Sequence, residues 1–393
     1  MRNRTIIPLT PHTGGVLDPQ QVIGREEVIE KYWEILQGQG IVLYAERRFG
    51  KSAVLTKMRA EDRKDYLSIY IAVEGVVNAD KFVEKLFDSV LKAKLFEESN
   101  LKKIENIFNS ITSYIPKAGT FEFKAKDKKW EKQFNYLLTS LVEQRSEKYI
   151  VIMLDEFTIM LNKMDEPEAV NILGYLRGLV QHDFSKKLRF VYCGSIGIDL
   201  VLDKLKKAGH NMGDPINHMS KQRLLPFTED EALFFCKCLN EGCELKLLED
   251  IMKSICDLVD RIPYFIDKVF DKIRYYSSID ESAINKALND ILDDPSDTNN
   301  FKHFYDRIDN FYPNKILTNH ILNYLSKIEK YTSEDVIAVH INHQMKVDRI
   351  LFNDEIDRLW RDGYLKREII DSKRNFKFNY SIIKKWWFIN KAY

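Results

Sequence analysis

An α/β fold built on a parallel sheet, followed by an all-helical segment and a small helix-and-hairpin tail, is what this sequence predicts, and three observations predict it. Strand-length apolar runs at 41–44, 65–73, 149–154 and 188–193 alternate with helical patterns, as parallel strands do when helical crossovers join them and cover both faces. From Arg223 to Leu292 the periodicity is helical only. Beyond a linker at Asp293-Asp294-Pro295-Ser296-Asp297, three helical stretches precede two short β-rich runs, which is the pattern of a winged helix.

The elements follow in order. Residues 1–20 carry Pro8, Pro11, Gly14, Gly15 and Pro19 and read as an irregular lead-in. Val28, Tyr32, Ile35 and Leu36 share one face of a helix that starts at Gly24-Arg25-Glu26-Glu27 and ends near Gly38 and Gly40. The strand Ile41–Tyr44 leads through the loop Ala45–Gly50 into a helix at Lys51. The strand at 65–73 precedes an amphipathic helix at 81–95 with Phe82, Leu86, Phe87, Val90 and Leu91 on one face. Residues 97–148 read as an insertion, with a helix at 101–114, a hairpin over 117–124 turning near Gly119, and a helix at 129–145. Helices at 229–239, 245–259, 262–276 and 281–292 make a lid-like subdomain. Helices at 315–328, 333–338 and 346–361 and strands at 363–370 and 375–379 complete the tail. The expected domains are an N-terminal segment 1–20, a core 21–222, a helical lid 223–295 and a winged helix 296–393.

Size and composition narrow the function. At roughly 150 residues per domain, 393 residues make two to three domains. Hydrophobic residues at 45% and charged ones at 30% exclude a disordered or fibrous chain. Lys and Arg number 60 against 59 acids, and residues 301–393 hold 17 basic and 12 acidic residues, a modest basic tail well short of a committed nucleic-acid binder. Five cysteines (Cys193, Cys236, Cys238, Cys243, Cys256) form no CxxC and have no nearby His pair, so they support neither a disulfide framework nor a zinc site. Without a signal-peptide pattern, a reducing cytoplasm is expected. The longest apolar runs fall far short of the ~20 residues of a membrane span, so no membrane partner is expected.

Chemistry concentrates in Ala45-Glu46-Arg47-Arg48-Phe49-Gly50-Lys51-Ser52. It matches the phosphate-binding loop GxxxxGK[ST] everywhere except the first glycine. Gly50 lets backbone N–H groups approach phosphates, Lys51 supplies a cation, Ser52 offers a hydroxyl to magnesium, and the helix adds its N-terminal dipole. Ala45 carries a penalty only if its φ must be positive. The strand Tyr149–Leu154 ends in Asp155-Glu156, so Asp155 is the expected magnesium residue and Glu156 the general base; the alternative is a carboxylate pair that caps the next helix. The strand ending at Gly194 offers the Ser195 hydroxyl to a γ-phosphate or, alternatively, as a helix cap. Arg47, Arg48 and Arg177 are candidates for stabilising transition-state charge. Asn162-Lys163-Met164-Asp165 matches the guanine-selecting NKxD string, but without a strand of its own it does not read as one.

With Gly24-Arg25-Glu26, the ERRFGKS loop, LDEF at 154–157, CGS at 193–195, LLPFTEDEA at 224–232 and RIPYFID at 261–267, the chain resembles the archaeal-type STAND ATPases, relatives of the AAA+ proteins, over residues 20 to 280. The resemblance implies a P-loop NTPase sheet of the ASCE/AAA+ type with a helical lid and a winged helix. It implies ATP/ADP with Mg2+ as cofactors. Ile23, Gly24 and Arg25 would lie along adenine and ribose, and Ala45, Arg47, Arg48, Phe49, Gly50, Lys51, Ser52 and Ala53 along the phosphates. Pro263 would pack near the base, while Arg261 stands where the family usually has glycine. Glu156, Lys51, Ser195 and Arg48 would be catalytic, and Ser52 and Asp155 would hold the metal. The implied function is a slowly hydrolysing switch that acts through a homo-oligomer or a separate effector, in a prokaryotic defence or conflict setting. The alternative is a DNA-binding initiator or transposition regulator whose wing presents Lys373, Arg374 and Lys377, although Trp386-Trp387 reads as packing against the core or a partner.

Overall fold

The computed structural model describes residues 5–12, 14–15, 17–93, 113–117, 120–124, 130–195 and 197–392. The chain forms two compact units that interleave in sequence. One comprises Glu26–Ala45 and Lys51–Leu224, the other the residues up to Arg25, Glu46–Gly50 and the residues from Leu225 on.

The first unit is a five-stranded sheet flanked by helices. Its strands are β1 (Gly40–Tyr44), β2 (Tyr66–Ala72), β5 (Tyr149–Asp155), β6 (Leu188–Gly194) and β7 (Met219–Arg223), in the order β2-β5-β6-β1-β7. Each pairing is parallel. β3 (Ser113–Lys117) and β4 (Thr120–Lys124) form a separate antiparallel hairpin. β6 is buried along its whole length, as is β5 after its first residue, which is why both read as unbroken apolar runs. The helices are α1 (Glu26–Gly38), α2 (Lys51–Ala60), α3 (Ala79–Lys92), α4 (Trp130–Gln144), α5 (Phe157–Lys163), α6 (Glu166–Gly178) and α7 (Ile198–Lys207). Phe82 and Leu86 of α3, Phe134 and Leu137 of α4, and Leu173 of α6 pack in one cluster with Ile69, Ile71, Ile150, Ile152 and Leu154 of the sheet. Near the start of β6, buried Arg189 donates from Nε to Leu36 O at 3.2 Å and from Nη2 to Gln37 O at 3.1 Å, the last turn of α1.

Several elements depart from expectation. β7, α5, α6 and α7 are not among the expected elements; β7 reads Met-Ser-Lys-Gln-Arg, a polar edge strand, whereas α7 buries Ile198, Val201, Leu202 and Leu205 on one helical face. The hairpin begins at Ser113, four residues earlier than expected, so Ser113 and Tyr114 are strand rather than helix. The remainder of the helix expected at 101–114 lies outside the described residues, as does the turn at Gly119.

The second unit is mostly helical: α8 (Glu229–Gly242), α9 (Glu249–Leu258), α10 (Pro263–Ile273), α11 (Glu281–Leu292), α12 (Lys302–Phe311), α13 (Lys315–Ser326), α14 (Glu334–Gln344), α15 (Arg349–Arg361) and α16 (Ser381–Asn390). Thr228 and Glu231 form a reciprocal capping box that starts α8. β8 (Thr332–Ser333), β9 (Leu365–Ile370) and β10 (Lys373–Phe378) make an antiparallel sheet in the order β8-β10-β9. Trp386 and Trp387 are buried within this unit, Trp386 stacked on Phe301 and Trp387 donating from Nε1 to Asn323 Oδ1 at 2.8 Å. The lead-in is held at Leu9, whose N–H donates to Cys238 O at 3.0 Å, and a Cβ on Gly242 would lie 2.1 Å from Leu9 O.

Candidate active site

Three parallel strands bring the predicted chemistry to one sheet edge. Tyr44 of β1 stands opposite Gly194 of β6, and Tyr192 of β6 stands opposite Leu154 of β5. β6 therefore lies between the strand that leads to Lys51 and the strand that ends in Asp155, and Ser195 follows it at the same edge. Carboxyl ends of parallel strands are where such sheets bind ligands.

The carboxylates have defined partners. Asp155, 3% exposed, accepts from the Tyr70 hydroxyl at 2.9 Å and from Glu156 N–H at 3.1 Å. Burial, and then the charge of Asp155, pushes the Tyr70 phenol up, so Tyr70 remains a donor. Burial and the same carboxylate push the Cys193 thiol well above its ordinary value, which keeps it from acting as a thiolate. Glu156 takes a left-handed backbone, φ 58°, and its Oε2 accepts from Ser195 N–H at 3.2 Å and Ser195 Oγ–H at 3.0 Å. It occupies the N-cap position of α5 without capping it, and the N-cap of α7 is Gly197 rather than Ser195. Neither group is committed as a helix cap. Tyr70 escaped the sequence reading; its signal was a polar-tipped residue in the strand beside Asp155.

Lys51 is buried at the start of α2, and its Nζ donates to Ala45 O at 2.9 Å, closing the loop across its base. Ser52 is exposed in the first turn and Ala53 half-buried. The loop's positive φ values fall on Arg48 (75°) and Gly50 (88°) and not on Ala45, so alanine at the first position carries no backbone penalty. Arg177 bonds Gln181 Oε1 at 3.1 Å. Asn162 and Lys163 end α5, and Asp165 is the N-cap of α6, so the NKxD string indeed lacks a strand.

The remaining candidates belong to the second unit. Ile23 is buried. Gly24 has φ 74°, and a Cβ there would lie 3.0 Å from the Phe227 ring. Arg25, 5% exposed, donates to Leu225 O at 2.9 Å and to Phe49 O at 3.2 Å, with its guanidinium 4.4 Å over the Phe227 ring. Arg47 is half-buried. Arg48 lies 4.3 Å over the Tyr264 ring and donates to Thr298 O at 3.3 Å; desolvation lowers its pKa from the ordinary arginine value. Pro263 opens α10, where its missing N–H costs nothing. Arg261 has φ 56°, the left-handed region that glycine enters without penalty; its carbonyl accepts from Phe227 N–H at 3.0 Å.

The Walker-type ATPase PABY2304 of Pyrococcus abyssi superposes with a TM-score of 0.65 at 14% identity, covering 97% of this chain and 99% of that one. The fold is that of a P-loop ATPase. The ORC2 protein of Aeropyrum pernix, solved as ADPNP–ADP complexes, superposes with a TM-score of 0.54 at 11% identity over 100% of this chain and 98% of that one. No family model and no curated protein matches the sequence. Within the P-loop ATPase fold, Asp155 and Ser52 offer hard oxygen donors suited to Mg2+, which commonly takes one or two protein ligands beside phosphate and water. No cluster of three His, Cys, Asp or Glu able to form an all-protein metal cage occurs among the described residues. Among them, too, no helix is long and apolar enough to cross a membrane.

Proposed function

We propose that this chain binds ATP and hydrolyses it slowly, as a regulatory switch that acts through a partner or through its own assembly. The observation that carries the reading is the adjacency of β1, β6 and β5, whose carboxyl ends deliver Lys51, Ser195 and the Asp155-Glu156 pair. Lys51 neutralises phosphate charge, and the N–H groups at the start of α2 bind phosphate oxygens. Ser52 and Asp155 hold Mg2+, which when bound neutralises charge developing on the phosphoryl oxygens. Glu156 accepts the proton of the attacking water. Its carboxylate is engaged by Ser195, so it must exchange that partner for water before it acts; this supports slow turnover. Ile23, Gly24 and Pro263 are assigned to the base, and Arg25 and Arg48 to supporting the loop. The tail from residue 296 is assigned to a winged helix.

Titration of a fluorescent ATP analogue, with phosphate release measured in parallel, tests the reading. Wild type should bind and turn over only with Mg2+ present, and Lys51→Ala should not bind. Equal nucleotide binding by wild type and Lys51→Ala overturns it.

A further inference from the structure

The loop that precedes Lys51 is held by residues far along the chain. Glu46–Gly50 belongs to the compact unit that contains the segment from Leu225 on. Phe49 has no exposed surface and packs edge-on against Tyr380, ring centroids 5.0 Å apart. Next to it, the Arg48 guanidinium lies 4.3 Å over the Tyr264 ring and donates to Thr298 O at 3.3 Å. Tyr264 is half-buried, with its hydroxyl 3.4 Å from Asn299 Oδ1.

These contacts fall on the part of the loop whose backbone is least able to hold its shape alone. Arg48 has φ 75° and Gly50 has φ 88°. Gly50 enters the left-handed region freely, whereas Arg48 does so at a cost and stays there only while its surroundings fix it. The side chain of the strained residue is the one seated on Tyr264, and the next side chain is the one seated on Tyr380.

We infer that Tyr264 and Tyr380 are positioning residues for the phosphate-binding loop: by seating Arg48 and Phe49 they hold the curve of backbone N–H groups that leads into Lys51. The inference rests on the nucleotide reading of the preceding subsection. It gives Tyr264 and Tyr380 an influence on nucleotide affinity that is exerted through the loop and not through contact with the nucleotide. The aromatic rings make these contacts, Tyr264 through its face, so phenylalanine should substitute at both positions.

The test uses the full chain and a fluorescent ATP analogue. Tyr264→Ala and Tyr380→Ala should each raise the nucleotide Kd by about five- to twentyfold, the size of one well-placed cation–π or aromatic contact. At saturation kcat should stay within about twofold of wild type, because Glu156 and Ser195 are untouched. Tyr264→Phe and Tyr380→Phe should bind within about twofold of wild type. If Tyr380→Ala does not fold, the half-buried Tyr264 decides by itself. Alanine variants that bind like wild type, while Lys51→Ala does not bind, overturn the inference. Lys51→Ala binding like wild type overturns instead the reading beneath it.

Discussion

Ser195 donates both its backbone N–H and its hydroxyl to the Oε2 of Glu156, at 3.2 and 3.0 Å. The residue expected to sense phosphate and the residue expected to activate water are thus partners at adjacent strand ends. A glutamine at 156 keeps an oxygen that accepts both bonds but has no basicity. Glu156→Gln should therefore bind ATP as wild type does and lose about a hundredfold or more in turnover. Single-turnover phosphate release beside equilibrium binding separates the two effects, and undiminished turnover would remove Glu156 from the chemistry.

Gly194 holds Ser195 at that edge. A Cβ on Gly194 would lie 2.3 Å from Thr158 Oγ1 and 3.1 Å from its Cγ2. Gly194→Ala should cost about 1–3 kcal/mol by overpacking, read from urea denaturation. Adding Thr158→Ala removes both atoms and should restore most of the loss.

Asp267 makes stability depend on pH. It is 8% exposed on α10, accepts from His12 N–H at 2.7 Å, and has Lys268, Asp271 and Arg274 as charged neighbours. Burial raises its carboxyl from the usual 3.8 to about 7. Between those values the folded chain holds a proton that the unfolded chain has lost, so this group's stabilisation is present below about pH 4 and is lost as pH rises through 7. Asp267→Asn should flatten that slope. The variant should be more stable than wild type at pH 8, by about 4 kcal/mol at most, and the two should converge near pH 4. Thermal unfolding across this range is the measurement.

Arg374 belongs to the fold of the tail. Its guanidinium bonds Glu334, and its Nη1 reaches both carboxylate oxygens of Asp357 at 2.9 and 3.0 Å; Lys377 lies 4.5 Å over the Tyr331 ring. Arg374→Ala should lower stability by about 2 kcal/mol, since 9%-exposed Glu334 loses a principal partner. It should leave the salt dependence of any duplex-DNA binding unchanged, whereas removal of a true phosphate contact reduces that slope by about one. Titration at two salt concentrations decides.

Where sequence carried two signals at once, the structure was legible in it. An unbroken apolar run ending in Asp155-Glu156 states both a buried strand and a polar function at its end, and the run ending in Gly194-Ser195 does the same. β7 was invisible because an edge strand written Met-Ser-Lys-Gln-Arg buries only Met219 fully and shows neither alternation nor an apolar run. The pairing of Tyr70 with Asp155, and of Arg48 with Tyr264, depends on which strands and loops become neighbours, and local periodicity holds no record of that. Arg261 is instructive in the same way. In the sequence it stands where the resemblance leads one to expect glycine; its φ of 56° shows that what the position demands is a backbone turn.

Arg189 bears on how Ser195 is kept in place. Its bonds to Leu36 O and Gln37 O fasten the first part of β6 to the carbonyl end of α1, while the strand's far end is fastened through Ser195 to Glu156. Moored at both ends, β6 has no freedom to slip lengthwise by a residue, a slip that would turn every one of its side chains to the opposite face. The arginine works as a register pin, fixing from six residues away which hydroxyl arrives beside the Glu156 carboxylate.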